Sequence, residues 1–269
     1  MDKKIIFFDI DGTLINYQNG LVEPTQKTKY VIEEFRKQGG LAVIASARAV
    51  LPFDDSDIKF DGYIHSEGHY IILNDEVLVD QSFDTKQVER QMDVYAKYNG
   101  RPMFYSREEQ WNSFLDDQYV IEHRLMFSGT DERPTDVIEE FEAKDVHAIS
   151  CCVLFESIED MDKAYQELKD ELTMVRYEQG LIRMDVYNKG FTKGTACEYI
   201  YQKLGVSKDN TYAFGDGEND LGMFKMVGKG IAMGNGVDTL KAIAYDVTDS
   251  VDNDGIAQAL EKHFGIKYE

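Results

Sequence analysis

Apolar residues along this chain follow two alternating periods. Ile5–Phe8 and Leu41–Ala45 are unbroken apolar runs of strand length, the pattern of strands buried on both faces. Between them, residues 25–38 place Tyr30, Val31 and Phe35 along one helical stripe, which Gly39 and Gly40 stop. Strand, helix, strand is the order of a parallel crossover unit. Beyond Gly62 the runs shorten and alternate. Tyr70–Leu73 and residues 77–79 flank Asn74-Asp75, a hairpin signal.

The pattern then changes character. Residues 84–98 predict a helix, 102–106 and 110–114 strands, 136–142 a helix, 146–155 a strand and 158–172 an amphipathic helix. Two further strands are expected over 174–177 and 181–186. This mixed order predicts an α+β insert and not a continuation of the parallel sheet. The strand–helix rhythm resumes with a helix over 192–204, strands over 211–214 and 230–233, a helix over 237–244, a strand over 246–248 and a last helix over Gly255–Phe264. The expected architecture is α/β, a parallel-sheet core of residues 1–81 and 187–269 interrupted by a cap over 82–186.

Composition narrows the chemistry. With 269 residues, 43% hydrophobic, and 16 tyrosines beside 15 phenylalanines, the chain has ample material for a packed core. Its formal net charge of -21 argues against nucleic acid or an anionic membrane as partner. An anionic substrate would therefore need a site that is locally basic or filled by a metal. Cys151 and Cys152 are adjacent, and with Cys197 they offer neither a disulfide framework nor a metal spacing. His65 and His69 are four apart in a strand-like stretch, which argues against a helical zinc pair. Asp9 interrupts the first apolar run after four residues, so a signal peptide is not expected, and no run approaches a membrane span. The expectation is a soluble cytoplasmic protein, with no protein partner evident.

The candidate chemistry begins where the first apolar run ends. Phe7-Phe8-Asp9-Ile10-Asp11-Gly12-Thr13-Leu14 reads as a buried strand running into two carboxylates and a turn. Burying carboxylates is costly without compensation, and a hard cation such as Mg2+ is the simplest compensation. The same residues also suit an ordinary turn. Other candidates lie beyond other predicted core strands: Ser46 after the second, and Asp216, Asn219 and Asp220 after the strand at 211–214. Lys193 stands in the first turn of the helix that reopens the core. Ligands collect at this carboxyl edge in open α/β sheets.

These residues resemble the haloacid dehalogenase-like superfamily, and within it the Cof-type sugar-phosphate phosphatases. The four motifs of that superfamily appear in order: Asp9-Ile10-Asp11-Gly12-Thr13-Leu14; Ser46 after an apolar strand; Phe191-Thr192-Lys193-Gly194-Thr195; and Gly215-Asp216-Gly217-Glu218-Asn219-Asp220, followed by Ala232-Met233-Gly234-Asn235. The resemblance implies a Rossmann-like core with an inserted α+β cap, and Mg2+-dependent hydrolysis of small phosphorylated metabolites, sugar phosphates foremost, through an aspartyl-phosphate. It makes Asp9 the nucleophile and Asp11 the acid and base. Mg2+ would be held by Asp9, the Asp11 carbonyl and Asp216, with Asp220 orienting that shell. Ser46 and Lys193 would hold the phosphoryl oxygens with the amides of Ile10 and Asp11. Gly12, Thr13, Ala47, Arg48 and Asn219 are further candidates for phosphate or substrate contact.

Each assignment competes with a plainer one. Ser46 could cap the segment that follows it, Asn219 could be turn chemistry, and Arg48 or Lys193 could be surface cations, with Lys189 competing for the role of Lys193. The stretch from Ser250 to Gly255 nearly fits a calcium loop, but a strand-to-helix connection is the more natural reading. Two positions depart from the family pattern: Ala47 stands where Gly is common, and Glu67-Gly68 where Asn-Gly is common. The second change adds a carboxylate that could face substrate. In the cap, Tyr95, Tyr98, Phe104, Tyr105, Trp111 and Arg183 could line a pocket, although most such aromatics are core. Phosphotransfer to an acceptor other than water, or phospho-ligand binding without turnover, are the competing functions.

Overall fold

The computed structural model describes residues 3–268. The first part of the chain forms β1 (Ile5–Phe8), α1 (Gln26–Lys37), β2 (Leu41–Ala45), β3 (Gly62–His65), β4 (Tyr70–Leu73) and β5 (Glu76–Asp80). The middle forms α2 (Thr85–Lys97), β6 (Arg101–Tyr105), β7 (Gln110–Trp111), α3 (Gln118–Ser128), β8 (Val137–Ile138), β9 (Ser150–Leu154), α4 (Ile158–Leu168), β10 (Thr173–Tyr177) and β11 (Arg183–Tyr187). The last part forms α5 (Lys193–Lys203), β12 (Thr211–Gly215), α6 (Leu221–Met226), β13 (Lys229–Ala232), α7 (Asp238–Lys241), β14 (Asp246–Val247) and α8 (Gly255–Phe264). The chain divides into two compact units, Met1–Val79 with Phe191–Glu269, and Asp80–Gly190.

The first unit is built on an eight-stranded sheet in the order β14-β13-β12-β1-β2-β3-β4-β5. The pairings from β14 through to β3 are parallel, and β4 turns back antiparallel to β3. β1 lies at the point where the strand order reverses, between β2 and β12. Its side chains show why an unbroken apolar run is needed there. Ile6 and Phe8 join a core cluster with Val31, Ile32 and Phe35 of α1 and Ile256 and Leu260 of α8. Ile5 and Phe7 face the other way, into a cluster with Ala196, Cys197 and Ile200 of α5. All four side chains of β1 are fully buried, each contributing roughly 1.5–3 kcal/mol of hydrophobic stabilisation. Phe8 also stacks on Phe214 of β12, with ring centroids 5.4 Å apart.

Local signals set the ends of these elements. Thr25 caps α1 by accepting a hydrogen bond from the Thr28 amide at 3.1 Å. Asn74 and Asp75, between β4 and β5, both take positive φ, 50° and 64°, as a tight hairpin turn requires.

The second unit carries a six-stranded sheet in the order β10-β11-β9-β6-β7-β8, antiparallel except for the β7–β8 pairing. β11 runs one residue past the expected end of the insert at 186. Side chains of β9 alternate across the sheet. Cys151 and Val153 face the cluster formed with α2 and α4, whereas Cys152 and Leu154 pack with Met103 and with Val120 of α3. Tyr95, Phe104 and Trp111, candidates for a pocket lining, are buried in the α2–α4 core. Tyr98 donates to Glu167 at 2.6 Å. Arg183 lies between the rings of Tyr177 and Phe127.

One expectation for this unit fails, and one helix in it was not expected. The expected helix at 136–142 contains instead the edge strand β8, paired with β7. The unexpected helix is α3, whose Asp117 cap accepts from the Tyr119 amide at 2.9 Å.

Candidate active site

The end of β1 delivers the first carboxylate. The Asp9 amide continues the sheet ladder by donating to the Phe214 carbonyl at 3.1 Å, which fixes the backbone beside β12. The Asp9 side chain is buried, 4% exposed, and its Oδ1 lies 2.5 Å from Lys193 Nζ. Lys193 is the first residue of α5. Its place is set by the cap before it, in which Thr192 accepts from the Thr195 amide and the Thr195 hydroxyl accepts from the Thr192 amide. The ammonium, 1% exposed, reaches a second carboxylate, Asp220 Oδ1, at 2.6 Å. Lys189, the competing lysine, donates to the Asp170 carbonyl.

Asp220 is fully engaged. Its Oδ2 accepts from the amides of Asp216 and Gly217 at 2.9 and 3.0 Å, so it shapes the loop after β12 while holding Lys193. That loop presents Asp216. Carboxylate oxygens of Asp9, Asp216 and Asp220 lie within 4.8 Å of one another.

Gly12 makes the approach possible. It takes φ of +81°, and a Cβ there would stand 2.0 Å from Asp216 Oδ2. Asn235 Nδ2 donates to the Gly12 carbonyl at 2.8 Å, and its Oδ1 accepts from the Val251 amide at 3.0 Å, tying three loops together. Sequence reasoning noticed Asn235 only as part of a family-like stretch; its partners lie 223 and 16 residues away.

Charge in the cluster is unbalanced. Burial raises the Asp9 pKa, the Asp220 charge adds to it, and Lys193 only partly offsets both. Asp216 is pushed up to about 7, first by burial and then by Asp220. Burial opposes the Lys193 charge, but Asp220, Asp9 and Glu67 outweigh it and hold the ammonium above its ordinary value. Lys193 pairs with Asp9 and Asp220; among the described residues Asp216 has no ion pair. Three oxygen donors with surplus negative charge are the donor set of a hard divalent cation, and the residues fit one.

Asp11 stands apart from this cluster. The family resemblance gives Asp11 to the metal through its backbone carbonyl alone; its carboxylate is half-exposed and held by both arms of Arg48, Nε to Oδ2 at 2.7 Å and Nη2 to Oδ1 at 2.8 Å. The turn at Gly12 sends the two aspartate side chains different ways, so only the Asp11 backbone remains available to a metal. Arg48 in turn sits over the Tyr17 ring.

Ser46 is buried at the end of β2, and its Oγ accepts from the Arg48 amide at 3.1 Å, the capping geometry of the plainer reading. The amides of Ile10 and Asp11 have no acceptor among the described residues, whereas the Gly12 amide is taken by the Ile15 carbonyl. Gly12 thus contributes shape and not a donor. Thr13 is buried, and its hydroxyl has no hydrogen-bond partner among the described residues. Ala47 is half-buried and Asn219 exposed, its side-chain oxygen folded back against Gly217. The near-calcium loop is spoken for by protein contacts: Asp252 accepts from Asn16 and Asn19, and Asp254 from Thr25.

Similarity to known proteins agrees with this geometry. The profile of the haloacid dehalogenase-like hydrolase family matches residues 6–260. A Bacillus subtilis (strain 168) protein named "Putative phosphatase YkrA" is 33% identical over 266 residues, covering 97% of this chain and 98% of that protein. Among solved structures, a hypothetical protein from Geobacillus kaustophilus HTA426 aligns with a TM-score of 0.82 at 27% identity, covering 97% of this chain and 98% of the other. A HAD subclass IIB sugar phosphatase, BT4131, aligns with a TM-score of 0.79 at 27% identity, covering 98% and 99%. Among the described residues, no helix is long and apolar enough to cross a membrane. A carboxylate cluster at the strand-order reversal, over a sheet matched from end to end, places the chain in the haloacid dehalogenase-like hydrolase family.

Proposed function

We propose that the chain is a Mg2+-dependent phosphatase of small phosphorylated metabolites, with sugar phosphates as the substrate class, working through an aspartyl-phosphate. The observation that carries this reading is the buried Asp9, held by Lys193 at the end of β1 beside Asp216. Phosphoryl transfer asks mainly for positioning and charge neutralisation. The relatives named above add to it, one as a phosphatase by name and one as a sugar phosphatase.

Lys193 fixes one oxygen of Asp9, and we assign the other to the attack on phosphorus. In the first step an Asp9 oxygen bonds to phosphorus as the ester P–O bond breaks, and a proton from Asp11 goes to the leaving oxygen. In the second, water oxygen bonds to phosphorus, the Asp9–phosphorus bond breaks, and the proton of water returns to Asp11. Asp11 must leave Arg48 to do this, and an arriving phosphoryl group is a fitting replacement partner for the guanidinium. The amides of Ile10 and Asp11, Lys193 and Ser46 receive the phosphoryl oxygens. A Mg2+ ion held by Asp9, the Asp11 carbonyl and Asp216 would neutralise charge on those oxygens when bound.

The test is release of phosphate from an aryl phosphate, with Mg2+ and after chelation, by wild type and Asp9→Asn. Wild type should turn over only with metal, and the variant should lose at least about a thousandfold in kcat while its melting temperature holds. Near-normal activity in the variant would remove Asp9 as nucleophile.

A further inference from the structure

The turn joining β13 to α7, residues 233–237, runs against the loop that carries Asp216. The Met233 amide donates to the Gly215 carbonyl at 3.0 Å and the Val237 amide to the Asp216 carbonyl at 2.8 Å. Between these bonds the two backbones nearly touch, and a Cβ on Gly236 would lie 3.1 Å from both Cα and the carbonyl oxygen of Asp216. A side chain there would push the turn away. From the other side, Asp220 Oδ2 accepts from the Asp216 amide at 2.9 Å. The Asp216 backbone is thus held at its amide and at its carbonyl.

Asn235, in the middle of the turn, does the same for the side chain. Its Nδ2 carries two hydrogens and faces two acceptors, the Gly12 carbonyl at 2.8 Å and Asp216 Oδ2 at 3.4 Å. The second contact is long and weak by itself. What matters is its place: Asp216 Oδ2 is the atom that a Cβ on Gly12 would strike, so one amide spans the junction at which the carboxylate cluster closes. Among the described residues no other side chain donates to the Asp216 carboxylate, and it has no ion pair. Asn235 is itself anchored from behind. Its Oδ1 accepts from the Val251 amide at 3.0 Å, and the Gly234 amide donates to the Asp249 carbonyl at 3.0 Å. A backbone N–H can only donate, so the atom facing Val251 is the amide oxygen and the nitrogen is turned toward Gly12 and Asp216.

We propose that Asn235 is a positioning residue for the divalent cation of this site: by holding Asp216 against Gly12 it sets the affinity of the carboxylate cluster for the metal. Hydrogen bonds that orient a ligand from outside the coordination sphere are worth about ten- to a hundredfold in metal affinity. A carboxylate left free to rotate must instead be ordered when the ion arrives. This rests on the Mg2+-dependent phosphatase reading above.

Calorimetric titration of Mg2+ into the substrate-free protein makes the test, with thermal melts to check folding. Asn235→Ala and Asn235→Ser, whose hydroxyl is too short to span the junction, should each weaken Mg2+ binding about tenfold or more. The Asn235 side chain is exposed, so shortening it opens no cavity in the core. Asp252→Ala is the comparison. Asp252 accepts from Asn16 and Asn19 and steadies the loop that holds Val251, with no hydrogen bond to Asp216 or to the turn at 233–237 among the described residues. That variant should lower the melting temperature and leave Mg2+ affinity unchanged. Unchanged affinity in both Asn235 variants overturns the proposal. So does equal weakening in Asp252→Ala, which assigns the effect to the joined loops, and so does failure of both Asn235 variants to fold, which makes the amide structural. A folded wild type that binds no Mg2+, or releases no phosphate with it, overturns the phosphatase reading instead, and this inference with it.

Discussion

Gly12 decides whether the carboxylates of this site can meet. Its missing side chain leaves room for Asp216, since a Cβ would sit 2.0 Å from Oδ2, and its φ of +81° turns Asp11 outward toward Arg48. Gly12→Ala should therefore displace Asp216, lower kcat by about a hundredfold or more, and cost roughly 1–3 kcal/mol of stability from the strained φ. Phosphate-release assays and thermal melts read both, and an alanine variant with normal turnover would mean that Asp216 is dispensable. At this scale much was legible in advance. Asp9, Asp216 and Asp220 are marked by where they fall after apolar runs, because strand ends are where a parallel sheet exposes side chains to ligand, and Lys193 by its place in the first turn of the helix that reopens the core. The Asp11–Arg48 pair and the Asn235 bridge were not legible. Each joins residues far apart in sequence through turn geometry that no local pattern encodes.

Elements position these residues, and α5 does so most directly, because Lys193 is its first residue and Thr192 its cap. Thr192→Ala removes the acceptor for the Thr195 amide and should cost about 1 kcal/mol, a fall in melting temperature of about 2–4 °C for a domain of this size. Since the cap also sets where Lys193 begins, kcat should fall alongside. A variant that melts earlier yet turns over normally would show that Asp9 and Asp220 alone place the ammonium.

Elements of the first unit were readable because burial on both faces writes strands as continuous apolar runs, as in β1 and β2. The second unit was harder. α3 buries only Val120 among its residues and leaves Leu125 and Met126 exposed, so its apolar positions trace no helical stripe. β8 fails in the opposite way: Val137, Ile138 and Phe141 have helical spacing, but the free edge of β7 recruits the segment as a short strand. Pairing with an edge that only the folded sheet supplies overrides local preference.

For the molecule as a whole, the surplus of negative charge makes stability and metal binding depend on pH together. Asp216 has a folded pKa of about 7 against an ordinary 3.8, and burial with Asp220 raises Asp9 in the same direction. A raised acid holds its proton in the fold at a pH where the unfolded chain has already lost it. The metal-free protein is therefore favoured at low pH and loses that stability as pH rises from about 4 through about 7. On the proposed reading Mg2+ would reverse the balance, because it would need the same carboxylates ionised and would compete with their protons. Melting the chelated protein across this range should show a falling melting temperature. Added Mg2+ should raise it strongly at a pH of about 8 and little at about 5. Asp216→Asn removes the titrating group, so both the fall and the Mg2+-dependent rise should flatten. Equal stabilisation by Mg2+ at the two pH values, or a variant that keeps the full response, would place the metal away from Asp216 and break the link between the acidic cluster and phosphoryl transfer.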